Sequence, residues 1–479
     1  MQNTPQPILD TLKQIKNQEN TRIELRKIKN HYYAYKIHTK WNKQTKKTQK
    51  TTQYIGSITP NGQYKPKQQK TTTLPTTKIY EYGSSQLLMQ LSKDLQQTTQ
   101  NLPHQNELIA LSITRALNPS PIRLTQPIWE DTYTSTKLKA NLTPTNITTT
   151  LTTIGHMIQE TYTLFHDLSP QGGMLFYDLT SILSHSKNLK LAEKGYNPQK
   201  KRVNQIKIAL AFSTSTYLPT AIDVFYGSIK EIKVLKYFIE RFPSKDIGFV
   251  MDRGFTSYEE LLQLQKEGIH YIVALKKNST LIPLDFEMSG VFEYGKRNVA
   301  FCKVKTLSYG FLYLFSDPEL RAVAEDRFLG KVRLGVLSMG EFCERQRLMG
   351  VFGLLSDLDV EPGVVYEQYK VREEIEQAFD FMKNDLEADR SYLGCDDAVR
   401  GYFVVVFLAM RLYFKILQRL REHKLVGVVS VREVLLLLSK MRMIVEKSGH
   451  EYLCALPKKT EEILEVFKDL LPKTCGLTQ

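Results

Sequence analysis

The sequence predicts a mixed α/β protein, in which a mixed sheet covered by helices is interrupted by a β-rich insertion and preceded by a basic N-terminal β-hairpin and a helical region. The composition changes near residue 170, from Thr, Gln, Asn and Lys to Val, Leu, Phe and Gly. Strand and helix patterns alternate from Gly172 onward, which is typical of a sheet covered by helices. Short aromatic-rich segments with polar turns break that alternation between residues 280 and 368.

The N-terminal part of the chain is strongly basic. Residues 1–100 contain 17 Lys and Arg residues against 5 Asp and Glu residues, so they carry 12 of the 15 net positive charges of this 479-residue chain. A basic region attached to a nearly neutral body predicts a polyanionic partner, and nucleic acid is the commonest such partner. A solvated basic tail without a partner is the alternative.

Residues 31–64 predict a β-hairpin with a charged connection. The β-rich segments "HYYAYKIHTKW" and "TTQYIGSITPNGQY" flank the basic "NKQTKKTQK", and Asn61 with Gly62 supplies a turn. Lys43, Lys46, Lys47 and Lys50 in the basic segment are the predicted phosphate contacts. Residues 84–165 favour helices, with "NPSP" at 118–121 as a breaker.

The alternating part of the chain predicts five strands and two helices before the insertion. The helices are predicted at 229–242 and 257–268, the second ending at Gly268. The strands are predicted at 174–180, 205–213, 217–227, 247–252 and 270–278. Long apolar helices are expected from the end of the insertion to about residue 447.

The cysteines and the apolar runs point to a cytoplasmic protein. The five Cys residues are far apart and form no CxxC pair, which indicates neither a zinc site nor a disulfide framework. The N-terminus lacks an apolar signal core. The longest apolar run, "GYFVVVFLAM" from Gly401, is 10 residues long, too short to span a bilayer and better explained as a buried helix.

The segment "YKVREEIEQAFDFMK" predicts a helix that gathers polar groups on one narrow face. Apolar residues recur at spacings of three and four from Val371 to Met382, as in a helix that faces a core. Beside them, four residues fall within about 60° of one another: Tyr369, Arg372, Glu376 and Lys383. An ordinary solvated face with an i,i+4 ion pair between Arg372 and Glu376 is the simpler interpretation.

Two aspartates occupy unusual places in the predicted strands. Asp178 lies inside a strand, where an aspartate is disfavoured unless it is paired or binds a metal. Asp252 ends a buried strand, and the carboxyl ends of strands are where sites form in helix-covered sheets. A local cap or turn explains either residue alone. If the helix over 369–388 packs on this sheet, Glu376 joins them, and three converging carboxylates require a divalent cation such as Mg²⁺.

These residues resemble the DDE transposases encoded by bacterial and archaeal insertion sequences. Asp178 in "YDLT", Asp252 in "MDRGF" and Glu376 match the acidic triad of that family. The helix is also similar to the signature of one large group of this family, in which two residues separate Tyr from Arg, three separate Arg from Glu and six separate Glu from Lys. Tyr369, Arg372, Glu376 and Lys383 match this spacing without a gap. Further likeness runs through "GYNPQKKRVNQIKIAL" and "VFYGSIKEIKVL", over most of residues 30–420.

The resemblance implies an RNase H-like sheet, interrupted between its last strand and the Glu-bearing helix. The separations of 74 residues from Asp178 to Asp252 and 124 from Asp252 to Glu376 agree with an enlarged second interval. The expected regions are 1–80 (basic, DNA-binding), 81–170 (helical), 171–279 (first part of the catalytic core), 280–368 (β-rich insertion), 369–447 (Glu-bearing helix and C-terminal helices) and 448–479 (tail).

The resemblance also implies the chemistry and the partners. Asp178, Asp252 and Glu376 are expected to hold two Mg²⁺ ions about 3.5–4 Å apart, which Mn²⁺ can replace, for DNA strand cleavage and strand transfer. Tyr369, Arg372, Lys383 and Arg253 are expected to contact the DNA. The partners are the element's terminal inverted repeats, target DNA and a second copy of the chain, without a membrane.

One feature departs from the family pattern. Some relatives hold a flipped base with a Trp in the insertion, but Trp41 and Trp129 both precede the catalytic region. Tyr294, Phe301 and Tyr313 are the aromatic residues that could stack instead.

Other functions stay open at this stage. A junction resolvase would keep the acids without the Tyr-Arg-Glu-Lys helix, and a domesticated transposase would only bind DNA.

Overall fold

The computed structural model divides into two compact units, residues 1–78 with 445–450 and residues 79–444 with 451–479. The structure describes residues 4–19, 21–28, 31–42, 47–67, 77–170, 172–184, 186, 188–195, 203–242, 247–255, 258–277, 279–283, 285–386, 390–391 and 393–471.

The first unit is a helix packed on one face of an antiparallel sheet. The helix α1 (Gln6–Glu19) is followed by strands β1 (Ile23–Ile28), β2 (His31–Asn42), β3 (Lys47–Ile58) and β4 (Tyr64–Pro66), which pair in that order. The predicted hairpin is present as β2 and β3, and Gly62 has the positive φ that the turn before β4 requires. The buried core comprises Ile8, Leu12, Ile15, Ile23, Tyr32, Ala34 and Ile58.

The second unit begins with a strand and a group of helices. They are β5 (Lys78–Glu81), α2 (Gly83–Leu91), α3 (Lys93–Thr98), α4 (Gln105–Leu117), α5 (Thr125–Glu130), α6 (Thr134–Lys137), α7 (Pro144–His156) and α8 (Ile158–Asp167). The predicted breaker at 118–121 separates α4 from α5. Pro144 opens α7 at a position where the missing N–H costs nothing.

A mixed sheet forms the centre of the second unit. Its first strands and helices are β6 (Gly173–Ser184), β7 (Glu193–Lys194), β8 (Asn204–Ser213), β9 (Pro219–Tyr226), α9 (Glu231–Arg241), β10 (Ile247–Met251), α10 (Tyr258–Lys266) and β11 (Tyr271–Ala274). β6, β8 and β9 pair antiparallel, whereas β10 lies parallel to β6 and β11 parallel to β10. The mixed α/β architecture predicted from the sequence is confirmed.

The segment between β11 and the Glu-bearing helix extends the same sheet. It contains β12 (Gly290–Tyr294), β13 (Arg297–Lys305), β14 (Phe311–Ser316), α11 (Pro318–Arg333), α12 (Met339–Gln346) and β15 (Val351–Ser356). β15 pairs antiparallel with β11, and β14, β13 and β12 follow outward. The β-rich prediction for 280–368 omitted α11, α12 and the first residues of the helix that begins at Pro362. α11 has no buried residue and therefore shows no apolar stripe.

The predicted continuous helix over 369–388 is wrong in detail. Instead, α13 (Pro362–Lys370) and α14 (Arg372–Asp380) meet at Val371, and a π-helical turn (Phe381–Asp385) follows. Such turns insert an extra residue into a helix and often lie at functional sites. No Pro or Gly marks either irregularity, so the sequence pattern did not reveal them.

The chain closes with helices and short strands. They are β16 (Arg390–Ser391), α15 (Asp396–Glu422), α16 (Val431–Leu438), β17 (Arg442–Val445), β18 (Glu451–Leu453) and α17 (Lys458–Leu464). α15 contacts α7 closely, because a Cβ on Gly155 would lie 1.7 Å from the Asp397 carbonyl oxygen and one on Gly401 1.9 Å from that of Leu151. In the described parts of the chain, no helix combines the length and apolar character of a membrane span.

Candidate active site

Asp178 and Asp252 are neighbours across two adjacent strands, Asp178 inside β6 and Asp252 directly after β10. β6 and β10 run parallel with Tyr177 paired to Met251; Asp178 is the next residue along β6, and Asp252 is the first residue after β10. Neighbouring strands are about 4.8 Å apart, so this register brings the two carboxylates side by side. Asp178 is half-buried, and its Oδ1 accepts a hydrogen bond of 2.7 Å from the N–H of Leu179.

The helices α13 and α14 and the π-helical turn cover the face of β6 that carries Asp178. Phe176, Asp178 and Thr180 alternate along β6 and therefore point to one face. The Tyr369 ring packs against Phe176 with centroids 6.2 Å apart, and the Lys383 ammonium donates to the Thr180 hydroxyl. Contacts at both ends of this helical segment thus bring its polar stripe to the aspartates.

Arg372 links the helix to Asp252. Its Nε donates to Glu376 Oε1 at 2.8 Å, its guanidinium lies 3.8 Å from Asp252, and one Nη contacts the Tyr369 hydroxyl at 3.4 Å. The Tyr369 hydroxyl in turn donates to Asp252 Oδ1 at 3.3 Å. The i,i+4 ion pair of the simpler interpretation is therefore present, but it belongs to a network that includes Tyr369 and Asp252.

Electrostatics keep Tyr369 neutral and Arg372 charged. Burial, reinforced by the negative charge of Asp252, raises the pKa of Tyr369 to about 12. Burial acts to lower the pKa of Arg372, but Asp252, Tyr369 and Glu376 outweigh it and raise that pKa above its ordinary value. The site therefore presents a phenol that can donate a hydrogen bond and a permanent cation.

The carboxylates suit a hard divalent cation by their chemistry, since Mg²⁺ prefers oxygen ligands and keeps several waters. Within the described ranges, however, no three His, Cys, Asp or Glu side chains are grouped as metal ligands. The carboxylate of Glu376 is turned toward Arg372, and its side chain is 55% exposed. The three acids thus lie on one side of the sheet, and Oε1 of Glu376 is engaged by Arg372 rather than by the aspartates' side of the site.

A cavity of about 490 Å³ opens beside Glu376, Arg372 and Tyr369. It lies between α14, the ends of β11 and β15, and α11 of the insertion. Its basic lining residues are Arg253, Lys277, Arg327, Lys370 and Arg372. Of these, Lys277, Arg327 and Lys370 were missed by the sequence reasoning. Lys277 could have been found, because it lies near the carboxyl end of the strand predicted at 270–278, whereas Arg327 lies on the unpredicted α11.

The other predicted contacts have different outcomes. Arg253 is exposed and lines the cavity. Lys43 and Lys46 lie outside the described residues, and Lys47 begins β3 without a described side chain. Tyr313 is fully buried and donates to the Leu358 carbonyl oxygen at 2.7 Å, which contradicts a role in stacking on a base.

The alternative aromatic residues for base stacking also pack within the protein. Tyr294 packs against Tyr366 with centroids 4.9 Å apart, and Phe301 against Phe292 at 6.1 Å. Both rings are half-buried. Their packing within the insertion offers no evidence for a stacking role.

A family model of known proteins matches the part of the chain that carries this site. Residues 174–412 match the family model of the transposase DDE domain. The match supports a DDE transposase, and the matched residues span β6, β10, α14 and most of α15. No curated protein matches the sequence.

Among solved structures, the chain is similar to a piggyBac transposase in a synaptic complex with hairpin DNA, determined by cryo-electron microscopy. The two are 12% identical over 74% of this chain and 76% of that chain, with a TM-score of 0.37.

Proposed function

We propose that this protein is an insertion-sequence transposase of the Tyr-Arg-Glu-Lys group, which cleaves DNA strands at the ends of its element and joins them to target DNA. The observation that carries the proposal is the convergence of Asp178, Asp252 and the Tyr369–Arg372–Glu376 network on one face of the sheet. The match to the transposase DDE domain supports it.

An RNase H-like core is part of the proposal. The strand order β9-β8-β6-β10-β11, with the first three strands antiparallel and the last two added in parallel, supports that fold. In this order Asp178 lies on the central strand and Asp252 on its parallel neighbour. The Glu-bearing helix then closes the site after a long insertion.

Asp178, Asp252 and Glu376 are the residues that would hold divalent metal. When bound, Mg²⁺ supplies charge neutralisation at the phosphodiester and lowers the pKa of an attacking water or DNA hydroxyl. The acids contribute charge and geometry, and none of them acts as a covalent nucleophile. A cavity lined by five cations beside them suits a DNA strand.

Arg372 has a second task in this mechanism. Its guanidinium matches a phosphate as well as a carboxylate, because both present two oxygens in a plane with its fork. A DNA phosphate that replaces Glu376 on Arg372 would free the Glu376 carboxylate to turn toward the two aspartates. The Tyr369 hydroxyl would donate a hydrogen bond to the DNA, and the Lys383 ammonium, on the π-helical turn, would contribute a point charge near the DNA phosphates.

The direct test is strand cleavage by the purified protein on a plasmid that carries the gene with its flanking DNA. We expect nicks at the element ends in Mg²⁺, their loss when EDTA is added and their return with excess Mg²⁺. Cleavage that persists in EDTA would contradict the proposal. Binding of the flanking DNA without any cleavage in Mg²⁺ or Mn²⁺ would instead support a domesticated, DNA-binding protein.

Substitution of Arg372 by Gln should weaken DNA binding and flatten its salt dependence. Each phosphate contact contributes about 0.9 to the slope of log affinity against log salt, so we expect a slope smaller by about that amount. Lys236→Gln is the control, because Lys236 is 74% exposed on α9, which packs on the opposite face of the sheet. Fluorescence anisotropy over a salt series measures both variants, and equal slopes would contradict a phosphate contact by Arg372.

A further inference from the structure

The hairpin of the first unit extends beyond the rest of its sheet. β1 pairs only with residues 31–36 of β2, and β4 only with residues 56–58 of β3. Residues 37–42 and 47–52 therefore pair with each other and form a two-stranded ribbon, hereafter the ribbon. The core between α1 and the sheet lies at the opposite end of the hairpin, around Tyr32, Ala34 and Ile58.

The ribbon and its connection are basic and polar. Residues 37–52 contain five Lys residues and no Asp or Glu, and most of the others are Thr, Gln and Asn. His38, Thr39, Thr48, Lys50 and Thr51 are exposed. Apart from Ile37 and Trp41, the residues of the ribbon are polar or charged, which suits contact with a polyanion that presents polar groups at its surface.

An aromatic row supports the base of the ribbon. Tyr54 packs against Tyr33 and Tyr35 with ring centroids 6.0 and 5.5 Å apart, and the Arg26 guanidinium lies 4.5 Å above Tyr35. Glu24 accepts from Arg26 at 3.0 Å and from Lys50 at 2.5 Å, which joins β1 to the ribbon. These contacts fix the direction in which the ribbon leaves the sheet.

We propose that the ribbon enters the major groove of duplex DNA and is the sequence-reading element of the first unit. A two-stranded ribbon fits the width of the major groove, where Thr, Asn and Gln side chains can read base edges. The proposal rests on the transposase function above, since it assigns the surface that recognises the element ends. Single-stranded nucleic acid fits less well, because the three tyrosine rings pack on one another rather than standing open for bases.

The two Trp residues of the chain offer a direct reporter. Trp41 lies on the ribbon and is 58% exposed, whereas Trp129 is 2% exposed in the second unit. Acrylamide quenching of the full-length protein therefore reports mainly on Trp41. We expect saturating random-sequence duplex to lower this quenching, and Trp41→Phe to remove the DNA-dependent change. Unchanged quenching at saturation would overturn the proposal.

Paired charge substitutions test the same surface through binding. Lys47→Gln with Lys50→Gln should lower the salt slope for a labelled random-sequence duplex by about 2, since each phosphate contact contributes about 0.9. The control removes two charges from α1, by Lys13→Gln with Lys16→Gln, at exposed positions on the covered side of the sheet. Equal slopes for the two double variants, or tighter binding to single strands than to duplex, would overturn the proposal.

The groove itself is tested with duplex methylated beforehand at guanine N7, an atom of the major groove. We expect this duplex to bind more weakly and to protect Trp41 less, and undiminished binding would overturn the major-groove assignment. These readouts need no cleavage. If cleavage is absent while DNA still protects Trp41 from quenching, only the proposed catalysis is contradicted. If cleavage occurs while DNA leaves Trp41 unprotected, only the proposed DNA binding by the ribbon is contradicted.

Discussion

Glu376→Gln is expected to abolish strand cleavage while leaving DNA binding nearly intact. The substitution keeps the size of the side chain and removes the negative charge that the proposed metal site needs. Loss of one of three carboxylate ligands should cost about 4 kcal/mol of transition-state stabilisation, or a rate lower by about 10³-fold. Nicking of the plasmid with flanking DNA and anisotropy with the same ends measure the two properties separately.

Glu373→Gln on the same helix is the matched control for charge. Glu373 pairs with Lys370 at 3.1 Å and is 67% exposed, so its loss removes the same charge one helical turn away. We expect this variant to cleave within a few-fold of the parent protein. Comparable cleavage by the Glu376 variant and the parent would rule out the metal-binding role of Glu376.

Asp223→Asn should strongly lower the free energy of unfolding. Asp223 on β9 is 7% exposed and accepts from the Tyr162 hydroxyl at 2.6 Å, from Arg241 at 2.9 Å and from Arg400 at 3.3 Å. The substitution leaves two guanidinium groups without their carboxylate. Breaking a buried ion pair costs about 3–5 kcal/mol, and we expect about 3 kcal/mol because Arg241 is partly exposed.

Urea denaturation followed by circular dichroism measures this loss. Asp285→Asn is the control, since Asp285 is 93% exposed and pairs with Arg347 at the surface. Exposed ion pairs contribute little to stability, so the free energy of unfolding of the Asp285→Asn variant should stay within about 0.5 kcal/mol of the parent value. An Asp223→Asn variant as stable as this control would show that the ion pairs of Asp223 add no net stability.

The sequence predicted the parts of the fold whose patterns are strong. Buried runs such as "IGFVM" and the amphipathic "IKEIKVLKYFIERF" appear as β10 and α9. The polar stripe from Tyr369 to Lys383 was visible because the spacing of a continuous helix predicts those residues on one face, although the helix is interrupted at Val371 and from Phe381. Its contact with Asp252 could not be read from spacing, since that depends on how α13 and α14 pack on the sheet.

The insertion shows why the remaining structure was missed. α11 buries none of its residues, so hydrophobic periodicity gives no signal there, although Asp317 caps it and Pro318 opens it. α12 likewise begins with a capping box formed by Ser338 and Glu341. Attention to these caps would have found both helices, and with them Arg327 at the cavity beside the carboxylates.

The central claim is that Asp178, Asp252 and Glu376 hold the catalytic metal together. Anomalous diffraction from crystals of the protein grown with duplex DNA and Mn²⁺ tests it most directly. The account predicts manganese within coordination distance of all three carboxylates, with Arg372 moved from Glu376 to a DNA phosphate. Manganese bound elsewhere, with Glu376 still paired to Arg372 beside bound DNA, would contradict it.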